Sequence, residues 1–297
     1  MTSSCLRADG MRLGSREDRV EGRGPQPRTT PMKRILATLF LGIMLLSGCG
    51  KGTTSAIKPL MVGMDLSYPP FETINSQGAP AGVSVDLANA LGEYLQRPVR
   101  IENIPFTGLI PSLLTGKIDL IISSMTDTPE REKTITFSDP YLSIGLAVLA
   151  GKKSGLTDSA MQPGDLDQPG RTLAVRQGTT AQAWALEHLK QAKVLVLDKE
   201  SSAVMEVTQG KADGFLYDQM SVWKNHQEHP SDTIALLQPV QKESWAIGLK
   251  PGDTALRDQV NAFLKSFRVS GGFERLGDLY LKDQKEAFAK ASIPFYF

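Results

Sequence analysis

Two stretches of this chain repeat the same order of residue types, and the repeat limits the folds that the chain can adopt. Residues 116–122 read GKIDLII and residues 210–217 read GKADGFLY. A helix pattern precedes each Gly-Lys, and polar side chains follow each apolar run. One copy is explained as a helix stop followed by a strand entry. Two copies predict two similar lobes that face one cleft. Ligands of open α/β sheets lie outside the carboxyl ends of the strands, which is where the polar side chains of both copies fall.

Strand and helix patterns alternate along residues 57–297, which predicts an α/β architecture with largely parallel sheets. Strand patterns cover residues 60–64, 99–104, 118–122, 172–175 and 194–197. Helix patterns cover residues 85–95, 109–114, 180–189 and 254–268. The apolar run at 244–249 leads back to the first lobe. We therefore expect a first lobe of residues 57–144 and 244–297, a second lobe of residues 145–243, and a hinge where the chain crosses twice.

The N-terminal segment has the pattern of an export signal. Residues 32–34 (MKR) are basic and precede an apolar run, 35–46, that is too short to span a bilayer comfortably. The run ends in LSGC at 46–49, which resembles a bacterial lipobox. In bacterial lipoproteins the signal is cut before the cysteine, which then carries the lipid. We expect residues 32–48 to be a lipoprotein signal peptide, Cys49 to bear the lipid, and residues 49–56 to be a linker.

Residues 1–31 precede this signal and are rich in Arg, Gly and Pro. They are predicted to be disordered or to be a non-native extension, because a signal peptide begins near its initiator Met. Met32 is therefore the expected start, although Met1 stays open as the alternative. A short anchor helix that is never cleaved is the alternative to a signal peptide.

The composition argues against nucleic-acid and metal chemistry. The formal net charge is +1, and no basic stripe with interleaved aromatic residues is present. The two cysteines, Cys5 and Cys49, both lie near the N-terminus, so the globular part has no disulfide framework and no cysteine-based metal site. His188, His226 and His229 are not spaced as metal ligands. We expect no nucleic-acid partner, no metal and no cofactor.

A group of hydroxyl side chains and one arginine follows the first repeat strand. Residues 106–141 read FTGLIPSLLTGKIDLIISSMTDTPEREKTITFSDPY, with Ser123, Ser124 and Thr126 just beyond the strand and Arg131 after them. Arginine offers a planar fork of donors that matches the two oxygens of a carboxylate. The segment therefore predicts a site for a small carboxylate.

The same segment resembles the first lobe of solute-binding family 3, the bacterial amino-acid-binding proteins that serve ABC transporters. Order, spacing and residue type agree over roughly one lobe, and the resemblance supports the layout from about residue 57 to the end. It implies a two-lobed periplasmic-binding-protein fold of type II (Venus flytrap) with a two-crossover hinge. It also implies an L-amino-acid ligand, similar to those of the glutamine- and histidine/lysine/arginine/ornithine-binding proteins, and an ABC transporter permease as partner.

For the ligand's carboxylate, the matched positions point to Arg131 as the clamp. Thr126 and the amide groups near Thr179 and Thr180 can add donors, and a helix N-terminus favours an anion there. On the residues alone, Thr179 and Thr180 are equally well explained as helix N-caps.

For the ligand's ammonium, the matched positions are Asp218, Ser123 and Ser124. Asp218 comes just after the second repeat strand, and the hydroxyl of Ser124 or the carbonyl of Ser123 is expected beside it. Without the resemblance, a lone Asp after a strand is more often a turn or cap residue.

The resemblance places the ligand's side chain near Asp65, Tyr68, Phe106 and Arg176. Asp65 and Tyr68 belong to the opening motif GMDLSYPPF at 63–71, and Phe106 aligns with a position that covers the apolar stem of the ligand. Asp65 and Arg176 together offer one acceptor and one donor, which a side-chain amide satisfies. Glutamine is therefore the expected ligand, unless the two residues pair with each other and leave a broader polar pocket.

The main functional expectation is a monomeric, lipid-anchored receptor in the periplasm or at the cell surface. The alternative from another class is a cyclohexadienyl (arogenate) dehydratase-like enzyme on the same scaffold, which requires a general acid in the cleft. Apart from Asp65 and Asp218, the sequence offers no spare carboxylate or histidine for that role, so we expect no enzyme activity. A sensor module fused to a kinase is a third alternative, and the chain shows no catalytic region for it.

Changing Cys49 to Ser should release the protein from membranes or block its processing, because serine has no thiol to acylate. Membrane fractionation, together with the mass of the mature N-terminus, measures this. Ser55→Ala, in the predicted linker, is the control and should change neither. Unaltered membrane association and processing in the Cys49→Ser variant would contradict the lipoprotein prediction.

Overall fold

The computed structural model describes residues 57–157 and 162–293. The predicted extension (1–31), signal peptide (32–48), linker (49–56) and lipid-bearing Cys49 lie outside these described residues. Within the two described ranges, none of the helices combines the length and the apolar character that a membrane span requires.

Strands and helices alternate along most of the described chain, as the sequence predicts. The strands are β1 (Leu60–Met64), β2 (Thr73–Ile74), β3 (Pro80–Ala81), β4 (Val99–Asn103), β5 (Leu120–Ile121), β6 (Thr136–Phe137), β7 (Leu142–Gly151), β8 (Thr172–Arg176), β9 (Lys193–Leu197), β10 (Gly214–Asp218), β11 (Thr233–Trp245) and β12 (Gly248–Leu249). The α-helices are α1 (Val83–Tyr94), α2 (Leu109–Leu114), α3 (Pro129–Glu132), α4 (Pro163–Leu166), α5 (Thr180–His188), α6 (Glu200–Thr208), α7 (Gln219–Glu228), α8 (Thr254–Val269), α9 (Gly272–Tyr280) and α10 (Lys282–Lys290). A 3₁₀ turn, Phe106–Gly108, precedes α2.

The strands form two five-stranded sheets, which we call the first and second lobes together with the helices packed on them. The first sheet has the order β4-β1-β5-β12-β6 and the second has the order β11-β7-β10-β8-β9. In each sheet three strands run parallel, β4-β1-β5 and β10-β8-β9. The remaining neighbours pair antiparallel, so the sheets are mixed and not as parallel as the sequence patterns suggested.

The repeated Gly-Lys segments end a helix in the same way in both lobes. Gly116 (φ 77°) and Gly210 (φ 70°) have left-handed backbones, which cost glycine little because it lacks a Cβ. In both copies the N–H groups of the glycine and of the following lysine bond back to carbonyls of the preceding helix. This is the Schellman ending, which turns the chain out of the helix and towards the next strand.

The aspartate of each repeat fixes the neighbouring parallel strand. Asp119 Oδ2 accepts from the N–H of Met61 in β1 at 3.2 Å, and Asp213 Oδ2 accepts from the N–H of Thr172 in β8 at 2.7 Å. The N–H groups of the two aspartates donate to the carbonyls of the same two residues. The repeat is therefore a structural equivalence between the lobes.

Two stretches of chain connect the lobes and run side by side. The first crosses from β6 to β7 and the second returns from β11 to β12. The N–H of Tyr141 donates to the carbonyl of Trp245, and the N–H of Ser138 donates to the carbonyl of Ile247. The predicted lobe boundaries at 144/145 and 243/244 fall inside β7 and β11, whose long antiparallel pairing carries both crossings into the second sheet.

Each lobe has its own apolar core. In the first lobe, α1 buries Val85, Leu87, Ala88 and Leu91 against the sheet, which is the face that the helix periodicity indicates. In the second lobe, separate apolar clusters lie on the two faces of the sheet. The two cores hold the strand ends in fixed positions on either side of the cleft.

Candidate functional site

A cavity lies between the two sheets, at the ends of four strands. Asp65 follows β1, Ser123 follows β5, Arg176 ends β8 and Asp218 ends β10. These ends meet because parallel strands present their carboxyl ends to the same edge of a sheet. The cavity is lined by every residue that the sequence predicted for the ligand site, namely Asp65, Tyr68, Phe106, Ser123, Ser124, Thr126, Arg131, Arg176, Thr179, Thr180 and Asp218.

Side chains from both lobes nearly fill this cavity. Five residues that the sequence analysis did not select complete the lining: Glu72, Leu146, Tyr217, Glu243 and Trp245. The free volume is about 40 Å³, which is room for a few water molecules. The charged and polar groups of the two lobes therefore contact one another directly.

Arg131 connects the two lobes through its guanidinium group. Thr128 is the N-cap of its short helix α3, and the Thr128 hydroxyl accepts from the N–H of Arg131 at 3.2 Å. Nη1 donates to the carbonyl of Thr126 at 2.8 Å, and Nη2 donates to the carbonyl of Gly178 in the second lobe at 3.1 Å. The guanidinium carbon lies 5.5 Å from the ring centroid of Phe106, within cation–π range. Burial lowers the pKa of Arg131, but an arginine remains charged in a protein.

Glu243 accepts from two hydroxyl groups beside Arg131. Thr126 Oγ1 donates to Glu243 Oε2 at 3.1 Å, and Thr180 Oγ1 donates to the same oxygen at 2.9 Å. Thr179 is the N-cap of α5, and its Oγ1 accepts from the N–H of Gln182 at 3.4 Å. Burial raises the pKa of Glu243, while its hydrogen bonds and the charge of Arg131 oppose that rise. The predicted carboxylate subsite thus surrounds a carboxylate of the protein itself.

Asp218 is both a helix cap and a cavity residue. Its Oδ1 accepts from the N–H groups of Met220 and Ser221 at the start of α7, each at 3.0 Å. The same oxygen accepts from the Tyr68 hydroxyl of the first lobe at 2.6 Å. Burial raises the pKa of Asp218 to about 7. Asp218 therefore caps α7 and also lines the cavity, so its role as a helix cap does not exclude it from the predicted ligand site.

The serines beyond β5 surround Glu72. Glu72 accepts from the hydroxyl groups of Ser84 at 2.6 Å, Ser124 at 3.1 Å and Ser123 at 3.3 Å. Only 1% of Glu72 is exposed, and burial raises its pKa to about 8. A carboxyl with such a pKa is mostly protonated at neutral pH, and the protonated form donates to one of these serine oxygens.

The expectation that the cleft holds no spare carboxylate was wrong, because Glu72 and Glu243 both line it. Each lies next to a segment that the sequence analysis had singled out. Glu72 directly follows the opening motif at 63–71, and Glu243 directly precedes the apolar run at 244–249. Neither segment showed locally that its neighbouring glutamate turns into the cleft.

Asp65 and Arg176 form a buried ion pair across the cleft. Arg176 Nη2 donates to Asp65 Oδ2, and the side chains are 7% (Arg176) and 10% (Asp65) exposed. Asp65 also accepts from Ser67 Oγ at 2.7 Å and from the N–H of Phe106 at 3.1 Å. Arg176 Nη1 lies 3.5 Å from the hydroxyl of Tyr217. Of the two arrangements that the sequence left open for these residues, the structure shows the direct pair.

The model of the family named "Bacterial extracellular solute-binding proteins, family 3" matches residues 60–283. The chain belongs to this family. The ABC transporter arginine-binding protein 1 of Escherichia coli (strain K12) is 28% identical over 228 residues, covering 75% of this chain and 91% of that protein. Family members of this kind are the amino-acid-binding components of ABC transporters, as the sequence resemblance implied.

Two solved structures support the fold and widen the chemistry to consider. An ancestral arginine-binding protein bound to glutamine has a TM-score of 0.68 at 28% identity, covering 75% of this chain and 97% of that one. The ancestral amino acid-binding protein AncCDT-1, a precursor of cyclohexadienyl dehydratase, has a TM-score of 0.67 at 32% identity, covering 75% and 94%. The predicted type II periplasmic-binding-protein fold is confirmed.

Replacing Glu72 with Gln should weaken the pH dependence of stability. The pKa of Glu72 lies near 8 in the folded protein and near 4.5 in the unfolded chain, so the unfolded chain loses its proton first as pH rises. The free energy of unfolding should therefore fall between these two pH values, with Glu72 contributing roughly 4–5 kcal/mol of the fall. Glutamine does not titrate, so the variant should lose that part of the slope.

Urea unfolding at both ends of this pH range measures the slope. Glu187→Gln, which removes an exposed carboxylate of α5, is the control and should behave like the parent. Equal slopes in the parent and in the Glu72→Gln variant would contradict a buried neutral carboxyl.

Proposed function

We propose that this chain is a monomeric receptor outside the cytoplasm that captures a polar L-amino acid between its lobes. It delivers the amino acid to an ABC transporter permease and is held at the membrane by a lipid on Cys49. The observation that carries the proposal is a single cavity with Arg131, Thr126 and Thr180 in one part and Asp218 in another. This is the charge arrangement that a zwitterion requires, because an unpaired buried ion costs several kcal/mol.

The two charges of an amino acid can take over contacts that the protein now makes internally. A carboxylate beside Arg131 would accept from the fork of the guanidinium and from the hydroxyl groups of Thr126 and Thr180. An ammonium beside Asp218 would donate to the carboxylate that now accepts from the Tyr68 hydroxyl. Ligand binding would then stabilise a contact between the lobes that is otherwise made by side chains alone.

Asp65 and Arg176 pair directly in the structure, which is the arrangement that leaves a broader polar pocket. Glutamine stays our first choice of ligand because its amide can separate the pair and satisfy both charges. A side-chain amide inserted between them would donate to Asp65 and accept from Arg176, so both buried charges would keep a partner. A glutamate side chain would face repulsion from Asp65, and an arginine or lysine side chain would face repulsion from Arg176. The solved relative with glutamine bound is consistent with an amide fitting this scaffold.

Arginine is the second candidate, because the cavity is rich in carboxyl groups. Its lining contains four of them, on Asp65, Glu72, Asp218 and Glu243, beside the two guanidinium groups of Arg131 and Arg176. Because Glu72 is mostly protonated, the carboxylates outnumber the guanidinium groups by one at most, and a ligand with one net positive charge would balance that difference. The E. coli relative is named for arginine.

The dehydratase alternative gains one observation from the structure, which is the protonated carboxyl of Glu72. Three serine hydroxyl groups bond to that carboxyl. We propose binding rather than catalysis because every other acid in the cavity has a partner that a bound amino acid would replace.

Removing either ligand-facing charge should weaken amino-acid binding by about 2–5 kcal/mol, because the opposite charge of the ligand is then buried without a partner. We would test Arg131→Ala and Asp218→Asn by calorimetry with glutamine and arginine. Asparagine can still cap α7, so the second variant removes the charge and keeps the helix start. Arg257→Ala and Asp258→Ala, on an exposed ion pair of α8, are the matched controls. Binding within about threefold of the parent in both variants would refute the assignment.

The Asp65–Arg176 pair should set side-chain specificity. In the parent, glutamine should outcompete glutamate, lysine, arginine and apolar amino acids, because those analogues leave a buried polar group unmatched. Arg176→Leu should improve lysine and arginine relative to glutamine, since the repulsive charge is gone and Asp65 remains. Competition binding with the full amino-acid panel measures both rankings. A parent that prefers arginine or lysine would favour a cationic ligand over glutamine. An unchanged ranking of the amino acids in the Arg176→Leu variant would show that Arg176 does not set specificity.

A further inference from the structure

Glu243 bridges the two lobes with one carboxylate oxygen. It lies on β11, and its Oε2 accepts from Thr126 Oγ1 of the first lobe at 3.1 Å and from Thr180 Oγ1 of the second lobe at 2.9 Å. Its Oε1 accepts from Gln241 Nε2 at 3.0 Å, so both oxygens have partners. The side chain is therefore held in place at the centre of the predicted carboxylate subsite.

The hydroxyl groups that hold Glu243 cannot serve a ligand at the same time. A threonine hydroxyl has one proton to donate. While Thr126 and Thr180 donate to Glu243, neither can donate to the carboxylate of a bound amino acid. Binding of Glu243 and binding of a ligand carboxylate to these two donors are mutually exclusive.

The local electrostatics suit one carboxylate and disfavour two. Arg131 supplies positive charge, and α5 begins at Thr180, where the N-terminus of a nine-residue helix favours an anion. A second carboxylate in the same partly buried place would be repelled by the first. The incoming carboxylate must therefore push the Glu243 side chain away.

We propose that Glu243 is a built-in competitor for the carboxylate subsite: it occupies the donors of Thr126 and Thr180, holds the two lobes in contact through them, and is displaced when the ligand binds. This inference rests on the proposed function, because it takes the ligand to carry a carboxylate. Competition from Glu243 lowers the affinity for the ligand. When the ligand leaves, Glu243 bonds to Thr126 and Thr180 again and restores the contact between the lobes.

The first test is the affinity for L-glutamine and L-arginine, measured by calorimetry for the parent, Glu243→Gln and Glu243→Ala. Removing the competing charge should tighten binding by at least about tenfold for whichever of the two amino acids the parent binds. Glu187→Gln removes the same charge from an exposed position on α5 and should leave the affinity unchanged. Equal or weaker binding in both Glu243 variants would overturn the proposal.

A test in a doubly substituted background shows whether Glu243 acts by occupying the hydroxyl groups of Thr126 and Thr180. In a Thr126→Val and Thr180→Val background Glu243 has lost both donors, so Glu243→Ala should tighten binding much less than it does in the parent, because only the repulsion between the two carboxylates is then relieved. A gain as large as that in the parent would overturn the proposal, since Glu243 would then not act through these donors.

The second readout needs no amino acid. Small-angle scattering of the protein alone, in an Arg176→Leu background that lacks the Asp65–Arg176 pair, should give a larger radius of gyration with Glu243→Ala than with Glu187→Gln, because a second contact between the lobes is then gone. An equal radius would overturn the bridging part of the proposal. If neither the parent nor any variant binds an amino acid, the receptor function itself fails, and the scattering result alone decides whether Glu243 bridges the lobes.

Discussion

The buried ion pair between Asp65 and Arg176 joins the two lobes, and the cleft around it is arranged so that each buried charge faces a partner. Removing two charges from water costs several kcal/mol per ion, which only good geometry and further hydrogen bonds recover. Asp65 meets this demand with Ser67 and the N–H of Phe106 in addition to Arg176. The contacts of Arg131 with Gly178 and of Tyr68 with Asp218 cross the same cleft.

The strand β11 links the hinge to this polar cleft. Glu243 and Trp245 lie two residues apart on it and both line the cavity, because side chains at i and i+2 share one face of a strand. The Trp245 ring packs edge-on against Phe71 at 5.0 Å and against Tyr68 at 6.0 Å. The hinge thus fixes an aromatic wall and an acid at the place where the lobes meet, and a change in hinge angle would move both.

Hydrogen bonds and ion pairs that join the two lobes determine how a receptor responds to its ligand. A ligand shifts the balance between two arrangements only by the difference in its free energy of binding to them. In the proposed function, a bound amino acid contacts Arg131 and Asp218. The protein then loses the hydrogen bonds that Glu243 and Tyr68 make in the absence of the ligand. Affinity is then a difference between two sets of hydrogen bonds, and the protein can tune it through residues such as Glu243 that the ligand displaces.

Local patterns in the sequence were enough to locate the main parallel strands (β1, β4, β5, β8 and β9), the helices α1, α2, α5 and α8, and the polar residues of the cleft, but not the long strand β11. Gly116 and Gly210 end helices because glycine adopts a left-handed backbone at little cost; this is a short-range rule, so both copies of the repeat could be identified in the sequence. The bonds from Asp119 to Met61 and from Asp213 to Thr172 join residues that are far apart in the chain, and only the structure shows them. The polar residues that follow the strands could be grouped from the sequence, since strand ends share one edge of a sheet. The resemblance to a known family supplied the roles that spacing alone could not assign.

The tertiary structure alone decided which groups face each other. Asp65 and Arg176 are 111 residues apart, and Thr126 and Glu243 are 117 apart. Whether such residues meet depends on the antiparallel pairing of β7 and β11 and on the two crossings between the sheets, which no local periodicity encodes. Burial then sets the protonation of Glu72, because the cost of charging a carboxyl depends on the atoms packed around it and not on its neighbours in the chain.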